Sequence, residues 1–477
     1  MDRRVAEQAR ELSQERPAPV RLSCAALLSI CVFIGSVVLS GCRGTPEARL
    51  RKTLASQMTG TIRLPGGLIE VSSELRLAQG AHDLEIVGSG TVLKASNTFQ
   101  GRAIIVAEQS QRIRFRNFSI DGNRTALAKP LDLASDPVPF RASYSNNGIW
   151  FDRVAGLEIS NLRLDRIADF AILISRSSGI AIRHVEVRDS GSRNSRGRNN
   201  TTGGILIEEG SSRFEVTGCT FENILGNALW THSFSKSPRA ENGLLAGNRF
   251  DTIGRDAIQV GHATRVRVEE NTGIRIGFPA EVVDVENNGT PVAIDTSGNV
   301  DQAAYTRNSF GEINGKCIDL DGFHDGAVRE NRCVNQGAVE DYPAGQFGIV
   351  VNDTNPEMQP VNIEISGNQI RGTRFGGLFL MGSANRVTGN TFENLNTAGC
   401  NENAARFGCL YKKNEPELLE SGIYLARGGS RPVETRANVI RNNRISGHRM
   451  RTHCIAAAPG VSLAANIIEG NVCADTP

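Results

Sequence analysis

Aromatic residues are scarce, 5% of the 477-residue chain, with only two Trp and five Tyr. An interior built mainly from large rings is therefore excluded, and aliphatic side chains have to fill it. Neither sign of charge is in excess: 53 Lys and Arg stand against 51 Asp and Glu, a net charge of +2. That balance argues against a dedicated nucleic-acid binder, which carries a basic surplus. No Cys-x-x-Cys occurs among the ten cysteines, so zinc ribbons and dithiol redox motifs are absent. With 39% hydrophobic and 22% charged residues, wholesale disorder is excluded as well. What is plentiful is glycine, 50 residues, above the usual ~7%. Such a chain suggests many short strands joined by tight turns.

A short phrase recurs along the chain. It reads Val-Thr-Gly-Cys-Thr-Phe at 216–221, Leu-Ala-Gly-Asn-Arg-Phe at 245–250, Val-Arg-Glu-Asn-Arg-Cys at 328–333 and Ile-Ser-Gly-Asn-Gln-Ile at 365–370. It returns at 387–392, 440–445 and 468–473. A second phrase alternates with it: Gly148-Ile149-Trp150-Phe151, Gly204-Ile205-Leu206-Ile207, Ala257-Ile258-Gln259-Val260, Cys317-Ile318-Asp319-Leu320 and Gly348-Ile349-Val350-Val351 are examples. Each phrase alternates apolar with variable residues, the pattern of a short strand with one buried face. No helical period separates them. A unit of three such strands cannot bury its own apolar face, but stacked units share one core.

These repeats resemble the pectin-lyase-like superfamily, and so does the opening: Thr-Ile-Arg-Leu-Pro-Gly-Gly at 61–67, Leu-Glu-Ile-Val-Gly-Ser-Gly-Thr-Val-Leu at 84–93 and Ile-Asp-Gly-Asn at 120–123. The resemblance implies an all-β fold, a right-handed single-stranded parallel β-helix of about a dozen coils over residues 61–477. It also implies an asparagine ladder at 248, 331, 368, 390, 442 or 443, and 471, which Cys219 interrupts. Asn suits such turns because it tolerates left-handed φ and its amide reaches the next coil. Leu50, Leu54 and Met58 recur at helical spacing within 46–59, which predicts a short helix capping the open apolar end of the solenoid.

Residues 22–39 are apolar and uncharged, follow Arg16 and Arg21, and end in Leu39-Ser40-Gly41-Cys42. This resembles the signal peptide and lipobox of bacterial lipoproteins. It implies a signal over 1–41, a lipidated tether and capping helix over 42–60, and a membrane partner reached through lipid on Cys42. The expected location is outside the cytoplasm, anchored to the bacterial envelope on the outer-membrane or periplasmic side. An uncleaved anchor of the same length is the competing reading. Cys317 and Cys333, and Cys454 and Cys473, sit in matching contexts, while Cys400 and Cys409 bracket a loop. Three disulfides with Cys219 free would fit an oxidising compartment, and free buried thiols remain the alternative.

Loop insertions at 125–146, 189–202, 233–243, 277–290, 336–346 and 397–420 flank the Ile-centred strand rather than the Asn turn, walling one sheet. With Ile inward, two columns face outward. The first runs Trp150, Leu173, Leu206, Trp230, Gln259, Asp295, Asp319, Val350, Phe379, Tyr424. The second runs Asp152, Ser175, Glu208, His232, Gly261, Ser297, Asp321, Asn352, Met381, Ala426. Coils stack about 4.8 Å apart, so Asp295, Asp319 and Asp321 should form a small triangle, with His262 and His324 just beyond the strand. Paired carboxylates suit glycoside cleavage, one as acid and one as base or nucleophile, since repulsion raises one pKa. Trp150, Trp230, His232, Asn352, Phe379 and Tyr424 are candidate substrate-binding residues.

The matching catalytic sets of the superfamily are incomplete here. Of the polygalacturonase motifs only Asp319-x-Asp321 and Gly261-His262 are found, and neither the Arg-x-Pro-x-x-Arg of calcium pectate lyases nor the Asp-Pro-His of alginate epimerases occurs. The expectation is a monomeric envelope protein acting on or binding an acidic polysaccharide, as hydrolase or lyase. It needs no cofactor, although Ca²⁺ on the acidic cluster is an option. A non-catalytic glycan-binding or structural surface protein and a carbohydrate epimerase are the alternatives.

Overall fold

Gly, Asn and short aliphatic phrases give a chain that turns every few residues, and the computed structural model shows the consequence. It describes residues 44–133, 138–284, 290–400, 409, 415–428 and 431–476. The proposed signal and Cys42 lie outside the described residues. Among those described, thirty-eight strands join in one parallel ladder system, in which strands between the end coils pair with the strand one coil before and one coil after. Three stacks of strands wind around a shared interior, the parallel β-helix expected. Everything from Gly44 onward forms one compact unit.

The stack that carries the Ile phrase holds β1 (Asn147–Asp152), β2 (Ile172–Ser175), β3 (Ile205–Glu208), β4 (Leu229–His232), β5 (Ile258–Glu269) and β6 (Val292–Asp301). It continues through β7 (Lys316–His324), β8 (Ile349–Asn352), β9 (Leu378–Leu380), β10 (Ile423–Leu425) and β11 (Ile455–Ala457). Register is conserved coil after coil: Ile149, Ile172, Ile205, Leu229, Ile258, Ile294, Ile318, Ile349, Leu378 and Ile423 are successive partners. All are at most 1% exposed. Their period-2 alternation places each in the core, where a one-residue slip would expose the whole set. The few aromatic rings of the interior stack as well, Phe221 on Phe250 at 5.1 Å.

A continuous amide ladder supports one corner. It runs through Asn248, Asn271, Asn308, Asn331, Asn368, Asn390, Asn443 and Asn471; each backbone N–H and Nδ2 donates to the next Asn Oδ1 at 2.9–3.0 Å. Asn443 rather than Asn442 holds the rung, and Asn271 and Asn308 extend the column beyond the expected set. Cys219 does not so much interrupt the ladder as begin it, its backbone N–H donating to Asn248 Oδ1 at 2.9 Å. A second, shorter ladder joins Asn385, Asn438 and Asn466.

At the N-terminal end, α1 (Pro46–Ser56) is capped by the Thr45 hydroxyl, which accepts from Ala48 N–H. Leu50 and Leu54 are buried against the first coils, whereas Met58 lies past the helix end and is exposed. Two further short helices, α2 (Arg124–Leu127) and α3 (Phe140–Ser143), sit in the insertion before β1. Disulfides join Cys317 to Cys333, Cys400 to Cys409 and Cys454 to Cys473, and Cys219 is free and buried. No helix among the described residues is long and apolar enough to cross a membrane.

Candidate functional site

The two outward columns have the expected register. Gln259, Asp295, Asp319 and Val350 are consecutive partners, as are Gly261, Ser297, Asp321 and Asn352. Asp295 and Asp319 therefore stand on adjacent coils, and Asp321 shares the face of Asp319 two residues along β7. Asp295 and Asp319 are buried, at 8% and 6% exposure, while Asp321 is half-buried at the solvent side of the cluster.

Each carboxylate has a different electrostatic surrounding. Lys316 Nζ bonds Asp319 Oδ2, and Asp319 Oδ1 is buried without a partner. Burial works against the Lys316 charge, yet Asp319, Asp295 and Asp321 raise its pKa overall. Gln259 Nε2 donates to Asp295 Oδ2 at 2.5 Å, and Asn227 Nδ2 donates to Gln259 Oε1 at 2.7 Å. Burial, then the neighbouring Asp256 and Asp319, pushes the Asp295 pKa well above the carboxylate range. Asp256 accepts from Val292 N–H and is pushed up to about 6 by burial, with Arg255 opposing. Asp321 is pushed up to about 7 by burial, then by the charges of Asp319 and Asp353. One strand thus carries a carboxylate paired with a lysine and, beside it, a carboxyl that keeps its proton near neutral pH. That division is what proton donation paired with base catalysis requires.

The histidines do not join this cluster. His324 Nδ1 pairs with Asp325 Oδ2 at 2.8 Å and Nε2 with Asn299 Oδ1 at 3.1 Å. Its ring lines a cleft with Pro356, Pro360, Val433 and Arg436 instead. His262 lies at a register shift within β5, between Gly261 and Ala263, with a left-handed φ of 43°. Burial, then the Arg239 charge, lowers its pKa against Ser237 and Glu209, which raise it, and its charge in turn bears on His232. Both histidines thus lie within their strands rather than just beyond them, and no hydrogen bond joins either to Asp295, Asp319 or Asp321.

The aromatic platform is corrected too. Trp150, Trp230 and Tyr424 are 2%, 5% and 0% exposed. Outward from the helix is not outward to water, because the insertions fold back over the sheet. Trp150 lies under the Arg102 guanidinium at 4.1 Å, and Trp230 meets the Phe140 ring of α3 edge-on at 4.9 Å. Tyr424 stacks on Phe379 at 6.1 Å, and half-buried Phe379 also meets Phe347. Neither indole N–H has a hydrogen-bond partner. His232 packs against Phe140, Trp230 and Phe234, and burial, then His262, lowers its pKa to about 4. Asn352 stays beside Asp321, half-buried, with an unpartnered Oδ1.

Lys316, Asp256 and Asp353 were not singled out from the sequence. Lys316 lies three residues before Asp319, and a cation so placed beside a carboxylate strand was the available signal. Among the described residues, ligand atoms converge at Glu208, Glu209 and His232, and at Glu417, Glu420 and His453.

The model of the right-handed β-helix region matches residues 73–243 and 292–474. The chain belongs to this β-helix family. The fold is thus the expected right-handed parallel β-helix. Among solved structures, the β-helix is similar to the N-terminal fragment of bacteriophage phi29 gene product 12, with 11% identity over 88% of this chain and 69% of that one, at a TM-score of 0.58. The pre-mature form of the same phage protein gives 12% identity over 85% and 51%, at a TM-score of 0.56, so the chain spans about half its length. PfbA, a surface adhesin of Streptococcus pneumoniae, gives 15% identity over 73% and 86%, at a TM-score of 0.51. At such identities the likeness is one of fold. No curated protein matches the sequence significantly.

Proposed function

We propose that this β-helix cleaves glycosidic bonds in a polysaccharide, with Asp321 as general acid and Asp319 as base. The observation that carries the reading is the contrast on β7: Asp321 holds its proton to about pH 7, while Asp319 is paired with Lys316. Side chains two apart on a strand stand about 6.6 Å from one another. That spacing falls at the short end of the ~6.5–9.5 Å used by inverting hydrolases, which leave room for a water. Asp295, protonated and held by Gln259, is available as a donor to substrate. The acidic class of substrate follows from the family resemblance.

The test is a panel of acidic and neutral polysaccharides, scored for new reducing ends and for the ultraviolet absorbance of unsaturated products, with and without chelator. Reducing ends without unsaturation are expected. Asp319→Asn and Asp321→Asn should each cut turnover by about 10²–10⁴-fold with the fold intact. Unsaturated products, or chelator-sensitive activity restored by Ca²⁺, would replace hydrolysis with lyase chemistry. Unchanged activity in both variants would remove the aspartates from the mechanism.

A second reading, a non-catalytic surface protein, is favoured by the deep burial of Asp295 and Asp319. Retained glycan binding with no product on any substrate would support it.

We also propose export and lipid anchoring at Cys42, as a monomer. Three disulfides among the described residues support an oxidising compartment. Labelling with a palmitate analogue should mark the wild type and not Cys42→Ala; a labelled variant would sink the idea.

A further inference from the structure

Two and three coils before Asp295 on the same sheet, the outward columns bring together donors of a different kind. We infer that Glu208, Glu209 and His232 form a binding site for a divalent transition-metal ion, of the Zn²⁺ or Mn²⁺ class. One ligand atom from each residue lies within 4.8 Å of the other two. Three atoms bound at about 2.1 Å to a common ion stand ~3.4–3.6 Å apart, so closing the set from that bound needs each atom to move by somewhat under an ångström. Glu208 and His232 are direct partners on β3 and β4. Glu209 follows with a left-handed φ of 56°, which turns the chain so that two consecutive carboxylates converge.

The donors are prepared but unused by one another. No hydrogen bond or ion pair joins any two of them, whereas in the other convergent set His453 Nδ1 already pairs with Glu417 Oε2 at 2.7 Å. His232 Nδ1 has neither solvent exposure nor a hydrogen-bond partner, and the Phe140, Trp230 and Phe234 rings wall the imidazole at 4.8–5.1 Å. A buried imidazole nitrogen without a partner is costly unless something binds it. The carboxylates are oriented by backbone donors: Phe140 N–H and Arg141 N–H donate to Glu208 at 3.0 Å, and Phe234 N–H donates to Glu209 at 3.2 Å. That is outer-shell support of the kind that fixes ligating side chains, and each carboxylate keeps lone pairs for an ion. One imidazole and two carboxylates suit Zn²⁺ or Mn²⁺ better than a soft ion. An ion here would tie the 125–146 insertion, through α3, to β3 and β4.

The full-length chain, stripped with chelator, is titrated with ZnCl₂ and with MnCl₂ by calorimetry, and its thermal midpoint is followed in parallel. One equivalent should bind for at least one of the two ions, with a raised midpoint. His232→Phe keeps a ring in the aromatic wall but removes both nitrogens, and should abolish the stoichiometric site. Glu209→Gln should weaken it at least tenfold, and His453→Ala should leave it unchanged. Absence of a stoichiometric site for both ions, or a site that persists in His232→Phe, would overturn the inference. So would loss of binding in His453→Ala. Asp319→Asn and Asp321→Asn should bind the ion as the wild type does, so failure of the glycosidase reading leaves this one standing.

Discussion

The same outward column is apolar at its two ends and polar in its middle. From Trp150 to Trp230 it is Trp, Leu, Leu, Trp, sealed under Phe140, Tyr144 and Phe170 into a second hydrophobic cluster. From Val350 to Tyr424 it is sealed again, with Phe347, Phe375 and Leu418. Between them stand Gln259, Asp295 and Asp319, equally buried but linked by Lys316 and Asn227 rather than by apolar packing. The backbone is the same in all three stretches, so the difference lies in what the outward side chains require. Apolar ones recruit a covering loop for the hydrophobic effect. The central carboxylates tolerate burial only through neutralisation by a proton or a lysine. A stretch that bears this cost in an otherwise self-sealing wall is where chemistry is expected.

Removing the lysine should break the central stretch most severely. Lys316→Met leaves Asp319 buried without its counter-ion, a loss of about 3–5 kcal/mol in urea unfolding at neutral pH. Adding Asp319→Asn to Lys316→Met should recover much of it. If the single variant is as stable as the wild type, the centre is not held by this pair. In the sealed stretch the corresponding test is Trp230→Ala, expected to cost about 3 kcal/mol by cavity formation among Phe140, Phe170 and His232. Should it abolish glycan binding with no loss of stability, the indole is a sugar platform after all.

The strands and their register were legible because the interior is repetitive: Ile, Leu and Val at period two admit one alignment, and every outward partner followed from it. Burial of the outward face was not legible, since the covering loops carry no period. A column reading Trp-Leu-Leu-Trp was nonetheless a sign that something covers it. Asn271 and Asn308 escaped notice because Gly273 stands in the closing apolar position of one phrase and Tyr305 in the opening aliphatic position of the other, although Glu270 and Arg307 adopt the left-handed turn, with φ of 56° and 54°. Of the site, the three aspartates were found from spacing alone. Lys316 was passed over because the residue preceding a disulfide cysteine drew no functional reading.

The ladder is indifferent to which stretch it passes, which yields a sharper comparison. Asn308 stands beside the central coils and Asn390 beside the sealed C-terminal ones, and both donate from Nδ2 to a carbonyl and to the next Asn at 2.9 Å. Asn308→Ala and Asn390→Ala should each cost about 2 kcal/mol, from buried partners left unsatisfied. Unequal losses would mean that the central coils differ in backbone support as well as in outward chemistry.

The smallest effect is the centre's share of a dependence on pH to which Glu208 and Asp169, raised by burial to about 7 and about 6 in the N-terminal stretch, also contribute. Asp321, with a folded pKa raised to about 7, binds its proton in the folded state over a range where the unfolded chain, titrating near 4, has lost it. Between those values the folded state holds more protons, so stability falls as pH rises from about 4 and levels off above about 7. Asp295 and Asp256, also raised, act in the same sense. For half-buried Asp321, solvent screening reduces the share to about 1 kcal/mol. Urea midpoints at pH 5 and pH 7 should therefore separate by more in the wild type than in Asp321→Asn, whose amide does not titrate. Trp230→Ala should keep the wild-type separation while lowering both midpoints, since no raised carboxyl has been removed. An equal separation in the wild type and Asp321→Asn would mean that Asp321 titrates as an ordinary surface carboxylate, and the acid of the proposed pair would have to be sought at Asp295.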